Sequence, residues 1–151
     1  MTRTSRMAGF GLAALSAFLV SVPLVRAQDV KPSPLDGAWT LVEQKNGTSQ
    51  TYEKLPEGVE MTKFVTGGRF VWVIAQGGKV LSAAGGKCTV DKDKSKYSEI
   101  IEYALGEGNA SLVGKTFDFT WKVDGNTWLH VGSIKVNNQD VKIDEKWERC
   151  K

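Results

Sequence analysis

Between Trp39 and Arg149 apolar and polar residues alternate in short runs, the period of strands and not of helices. The clearest run goes from Thr116 to Val123, where Phe117, Phe119, Trp121 and Val123 share one side while Thr116, Asp118, Thr120 and Lys122 share the other. One face is expected to be dry and the other wet. Weaker two-sided patterns occur at Trp39 to Glu43, Phe70 to Ile74, Tyr97 to Tyr103 and Val141 to Trp147. Gly67-Gly68, Gly77-Gly78, Gly85-Gly86, Asp124-Gly125 and Asn137-Asn138 separate these segments and read as turns. About eight to ten such segments, with no helical period between them, predict an all-β antiparallel barrel or sandwich. The polar stretch from Asn46 to Gly58 reads as a loop or a short helix over one end.

Two short signatures bracket the pattern: Gly37-Ala38-Trp39 opens it and Trp147-Glu148-Arg149 closes it. A barrel closes by pairing its first strand with its last, which would bring Trp39 and Arg149 together as ring and cation. Trp39 then plugs one end beneath the guanidinium.

The N-terminus changes the charge argument. Arg3 and Arg6 precede an apolar run from Met7 to about Val22, and Val25-Arg26-Ala27 offers a cleavage site, so residues 1–27 read as a secretory signal cut before Gln28. The run is short for a bilayer span, and no cysteine follows it to carry a lipid. The expectation is a secreted or periplasmic protein without stable membrane insertion. Removing 27 of 151 residues leaves 124, enough for one domain (residues 28–151) with one core. Of 20 basic residues three lie in the signal, leaving 17 against 17 acidic ones. There is no electrostatic case for nucleic acid or an anionic membrane as partner.

Cys88 and Cys150 would meet an oxidising compartment, where an even count reads as a disulfide. It would close a loop of 62 residues, worth about 4 kcal/mol in the chain-entropy model. The alternative is two thiols that never meet.

Other chemistry is sparse. Asp91, Asp93, Ser95, Tyr97, Glu99 and Glu102 fall at the positions of a calcium-binding loop, but Lys96 stands where its sharp turn needs glycine, and the flanks alternate like strands. A solvated hairpin tip fits better. His130, the single histidine, excludes a multi-histidine metal site. No Gly-x-Ser-x-Gly elbow and no phosphate-cradling glycine loop occur, so neither an enzyme nor a cofactor is expected.

Taken in order, Leu35-Asp36-Gly37-Ala38-Trp39, Phe70-Val71-Trp72-Val73, Ala84-Gly85-Gly86, Tyr97 to Tyr103, Leu112-Val113-Gly114-Lys115, Trp128-Leu129-His130 and Glu145-Lys146-Trp147-Glu148-Arg149 resemble the small secreted bacterial lipocalin-like domains. The resemblance implies an up-and-down β-barrel of the lipocalin or fatty-acid-binding type, in a group whose biochemical activity is largely unassigned. Lys87-Cys88, where an aromatic would follow the glycine pair, and Cys150 after Arg149 depart from that pattern.

The interior of such a barrel is either packed solid or holds one small ligand. Candidate ligand-binding residues are Trp72, Tyr97, Glu99, Tyr103, Phe119, Trp121, Trp128 and His130. A two-residue Asp124-Gly125 turn would pair Phe119 with His130 and Trp121 with Trp128, placing His130 inside. A three-residue turn would send it outside. Glu99 shares a side with Tyr97, Ile101 and Tyr103; either that side or the one bearing Ser98, Ile100, Glu102 and Ala104 faces inward. Binding of a small apolar or amphipathic molecule is the leading expectation. A filled barrel whose rim and loops bind a protein partner is the second, and a haem role through His130 the third.

Overall fold

The alternating segments become eight antiparallel strands. The computed structural model describes residues 32–136 and 139–151; the expected secretory signal over residues 1–27 and the expected turn at Asn137-Asn138 lie outside the described residues. The strands are β1 (Gly37–Gln44), β2 (Val59–Thr66), β3 (Arg69–Gln76), β4 (Lys79–Asp91), β5 (Lys96–Leu105), β6 (Thr116–Asp124), β7 (Thr127–Val136) and β8 (Gln139–Arg149). Each pairs with the next, and β1 pairs back with β8, giving a closed up-and-down barrel of the lipocalin and fatty-acid-binding type. Closure removes the unpaired sheet edges that would otherwise template aggregation.

The closing pair is the one the two signatures point to: Trp39 sits opposite Arg149. Arg149 Cζ lies 4.1 Å from the Trp39 ring centroid, and its two terminal nitrogens donate to the carbonyls of Asp36 (2.8 Å) and Pro34 (3.1 Å). The Trp39 indole donates to the Leu35 carbonyl at 2.8 Å. A cap made of the Pro34-Leu35-Asp36 backbone, the ring and the cation thus shuts one end. Gly37 is required there, because its φ of 137° and the proximity of Arg149 Nη1 leave no room for a Cβ. Behind the cap a dry floor forms from Trp39, Trp128, Trp147, Tyr97 and Val65, all at most 1% exposed. Trp128 stacks on Trp147 and meets Trp39 and Tyr97 edge-on.

The other end is covered lightly. The Asn46–Gly58 stretch has no helix; Tyr52 ties it to the wall by donating to Asp144 Oδ1 at 2.7 Å. A short 3-10 turn, Asn109–Leu112, lies between β5 and β6 and turns Leu112 inward.

Three local readings change. Gly85-Gly86 is no turn but the middle of β4, where β5 carries one extra residue, Glu102, between the pairs Gly86 with Ile101 and Gly85 with Tyr103. A Cβ on Gly86 would strike the Ile100 carbonyl, so the glycines permit a close strand approach. The β6–β7 turn is Gly125-Asn126, not Asp124-Gly125: Trp121 faces His130 and Val123 faces Trp128. The pairing slips by two residues, which preserves the side-chain parity, and His130 stays inside. Cys88 is buried within the barrel whereas Cys150 is exposed, its Sγ 3.2 Å from Thr40 Oγ1. Both thiols are free, because the barrel wall stands between them.

Candidate ligand cavity

The half of the interior away from the cap is not filled. A cavity of about 230 Å³ lies between the floor and the Asn109–Leu112 turn. The larger part of its wall is apolar, made by Met61, Trp72, Ile74, Ile101, Leu112, Phe119, Ile134 and Ile143, with the amides of Gln44 and Asn109 also lining it. Trp72, Ile74, Ile134 and Ile143 are only half-buried, so the space communicates with solvent at that end.

Four ionisable side chains reach the same cavity from four strands: Lys63 of β2, Glu99 of β5, His130 of β7 and Glu145 of β8. Their inward direction follows from strand parity. Lys63 stands between Met61 and Val65, and Glu145 between Ile143 and Trp147, each at an alternate position. Lys63 Nζ donates to Glu99 Oε1 at 2.9 Å, with both side chains at most 4% exposed. The same ammonium lies 5.2 to 5.8 Å from the ring centroids of Trp147, Trp128 and Tyr97, a floor of π faces for a buried cation.

The second pair is His130 Nδ1 and Glu145 Oε2, 2.9 Å apart; Trp147 Nε1 donates to the same oxygen at 3.0 Å. Burial foremost, then the nearby Lys63 ammonium, hold the His130 imidazolium form down, outweighing the pull of Glu145 and Glu99. Burial alone would raise the Glu145 carboxyl, but the hydrogen bond from His130 and the charges around it win, and it stays below the usual carboxylate range. The pair is therefore a neutral imidazole donating to a carboxylate. His130 Nε2 is buried without a partner among the described residues, as are the Tyr97 hydroxyl and Trp128 Nε1. Burial and the charge on Glu99 push the Tyr97 phenol well above its ordinary range, so it stays protonated.

Of the candidates from sequence, Trp72, Glu99, Phe119 and His130 line this cavity. Tyr97 and Trp128 lie beneath it in the floor. Trp121 belongs to the closed end, where its indole donates to the Lys96 carbonyl at 3.2 Å. Tyr103 is on the outer face, 53% exposed across the bare Gly85, because the extra residue at Glu102 reverses the parity of β5 beyond Ile101. Lys63 and Glu145 are the residues that sequence reasoning passed over. The calcium-loop spacing does not converge, since Glu99 points into the barrel while Asp91 and Asp93 sit at the β4–β5 hairpin. Among the described residues no cluster of three or more histidine, cysteine or carboxylate side chains could hold a metal ion.

A family model described as a domain of unknown function, DUF4488, matches residues 34–151. The chain belongs to this family. No curated protein matches it. The match begins one residue before Leu35, so this DUF4488 domain contains the whole cap, barrel and cavity described above.

Proposed function

We propose that this DUF4488 domain is an exported, lipocalin-like binding protein whose barrel takes up a small apolar or amphipathic molecule. The observation that carries the reading is the cavity itself: an apolar wall, open at one end, converging on a few buried polar groups. That is the usual composition of a small-molecule site. At about 230 Å³ it falls just under the roughly 300–1,000 Å³ of drug-sized pockets, which favours a small ligand and leaves no room for a haem. A binding role is favoured over catalysis because the hydrogen bonds of His130 among the described residues include no hydroxyl or thiol to activate. The presence of a cavity also ranks this reading above a filled barrel acting through its rim.

Titration of the purified protein with hexan-1-ol, followed by tryptophan emission, tests it, since Trp72 lines the wall. The expected result is saturable binding that Ile143→Phe abolishes by filling the space. Equal responses from the two proteins would remove the cavity from consideration.

A further inference from the structure

The charges inside the barrel do not cancel. Lys63 and Glu99 neutralise one another at 2.9 Å, whereas among the described residues the donors hydrogen-bonded to Glu145 are the uncharged N–H groups of His130 and Trp147, and the Lys63 ammonium that also acts on it is already paired with Glu99. His130 is 2% exposed and Glu145 8%, so the surplus negative charge sits where water screens it little. A second, independent observation lies beside it. With Nδ1 donating to Glu145, Nε2 of the neutral ring is an acceptor, and it has no partner among the described residues although it lies on the cavity wall. A buried acceptor left unpaired costs about 1–3 kcal/mol, which a donor entering the cavity would recover.

Resting on the reading of the barrel as a binding cavity, we propose that the polar end of the ligand is an ammonium group, primary or secondary, on a short apolar body. Its N–H donates to His130 Nε2, its charge compensates Glu145, and its apolar part lies along Trp72, Ile134 and Ile143. A neutral alcohol supplies the donor without the charge. A carboxylate supplies neither, and would add a third anion around one ammonium that Glu99 already occupies. Fatty acids are therefore the class the interior is built against.

The experiment compares three probes of one length on the intact protein at pH 7: hexylamine, hexan-1-ol and hexanoate, by calorimetry and tryptophan emission. Hexylamine should bind about tenfold or more tighter than hexan-1-ol, and hexanoate more weakly than either. Glu145→Gln, checked for native circular dichroism, should level the amine with the alcohol. Should that variant fail to fold, the ranking on the native protein decides alone. Tightest binding by hexan-1-ol or hexanoate overturns the ammonium assignment while leaving the cavity reading standing; binding by none of the three removes both.

Discussion

Arg149 lies over Trp39, its Cζ 4.1 Å from the ring centroid, while its two terminal nitrogens hold the carbonyls of Pro34 and Asp36. One side chain thereby joins the last strand, the first strand and the Pro34–Asp36 backbone before it. Arg149→Met keeps most of the apolar stem but loses the cation and both charged hydrogen bonds, and should cost about 2–4 kcal/mol in urea unfolding. Arg149→Lys should recover less than half, since an ammonium lacks the planar fork that reaches both carbonyls. An unchanged unfolding midpoint in Arg149→Met would mean the cap adds nothing to closure.

That relationship was legible from sequence because it needs only the two ends of a closed sheet, and closure fixes which residues meet. The inward face of His130 was legible for a related reason: a slip of two residues in the hairpin leaves parity intact. Tyr103 was misplaced because a single extra residue in β5 reverses parity, and nothing in the run from Tyr97 to Tyr103 marks it. Its trace was on the partner strand, where Gly85-Gly86 reads equally as a turn or as room for close approach. Lys63 and Glu145 were missed because charged residues are expected on the wet face. The alternations Met61, Lys63, Val65 and Ile143, Glu145, Trp147 carried the signal, and only the energetic improbability of burying the charges argued against it.

The buried Lys63–Glu99 pair should behave as a unit. Lys63→Met leaves a carboxylate uncompensated in a dry interior and should cost about 3–5 kcal/mol. Adding Glu99→Leu should restore most of that loss, because two apolar side chains of similar size avoid the desolvation of both charges. A double-mutant cycle from urea midpoints checks this. Strict additivity of the two single changes would show that the pair is not coupled.

Acid should loosen the barrel in a defined window. His130 resists protonation in the folded state, so below its ordinary value of 6.5 the unfolded chain binds a proton that the native imidazole does not, and stability falls as pH falls. Glu145, also held below its ordinary value of 4.5, adds a loss of the same sign further down. The groups facing His130 are Glu145, Lys63 and Glu99, with Tyr97, Phe119 and Trp128 packed on its ring. Unfolding free energies measured from pH 7.5 to 5 should decline in the native sequence and stay nearly level in His130→Gln. Parallel curves would assign the decline to other groups.

Binding should distinguish the two aromatics that sequence alone grouped together. Trp72 lines the cavity and Tyr103 lies outside the wall. Trp72→Ala should weaken hexylamine about tenfold or more, as loss of an aromatic anchor does, whereas Tyr103→Ala should leave the affinity unchanged. The reverse order in calorimetry would place the ligand on the outer face.

The two cysteines should differ sharply towards a thiol reagent. Cys150 is exposed beside Thr40, whereas burial foremost pushes the Cys88 thiol up to about 11, and the floor of the barrel covers it. A thiolate is the reacting species, so both access and acidity retard Cys88. The native protein, without reductant, should therefore give one prompt equivalent in an Ellman assay, and a second only when urea opens the barrel. If neither thiol reacts in urea until a reductant is added, the bridge across the wall exists and the register of β4 against β5 must differ from the one described.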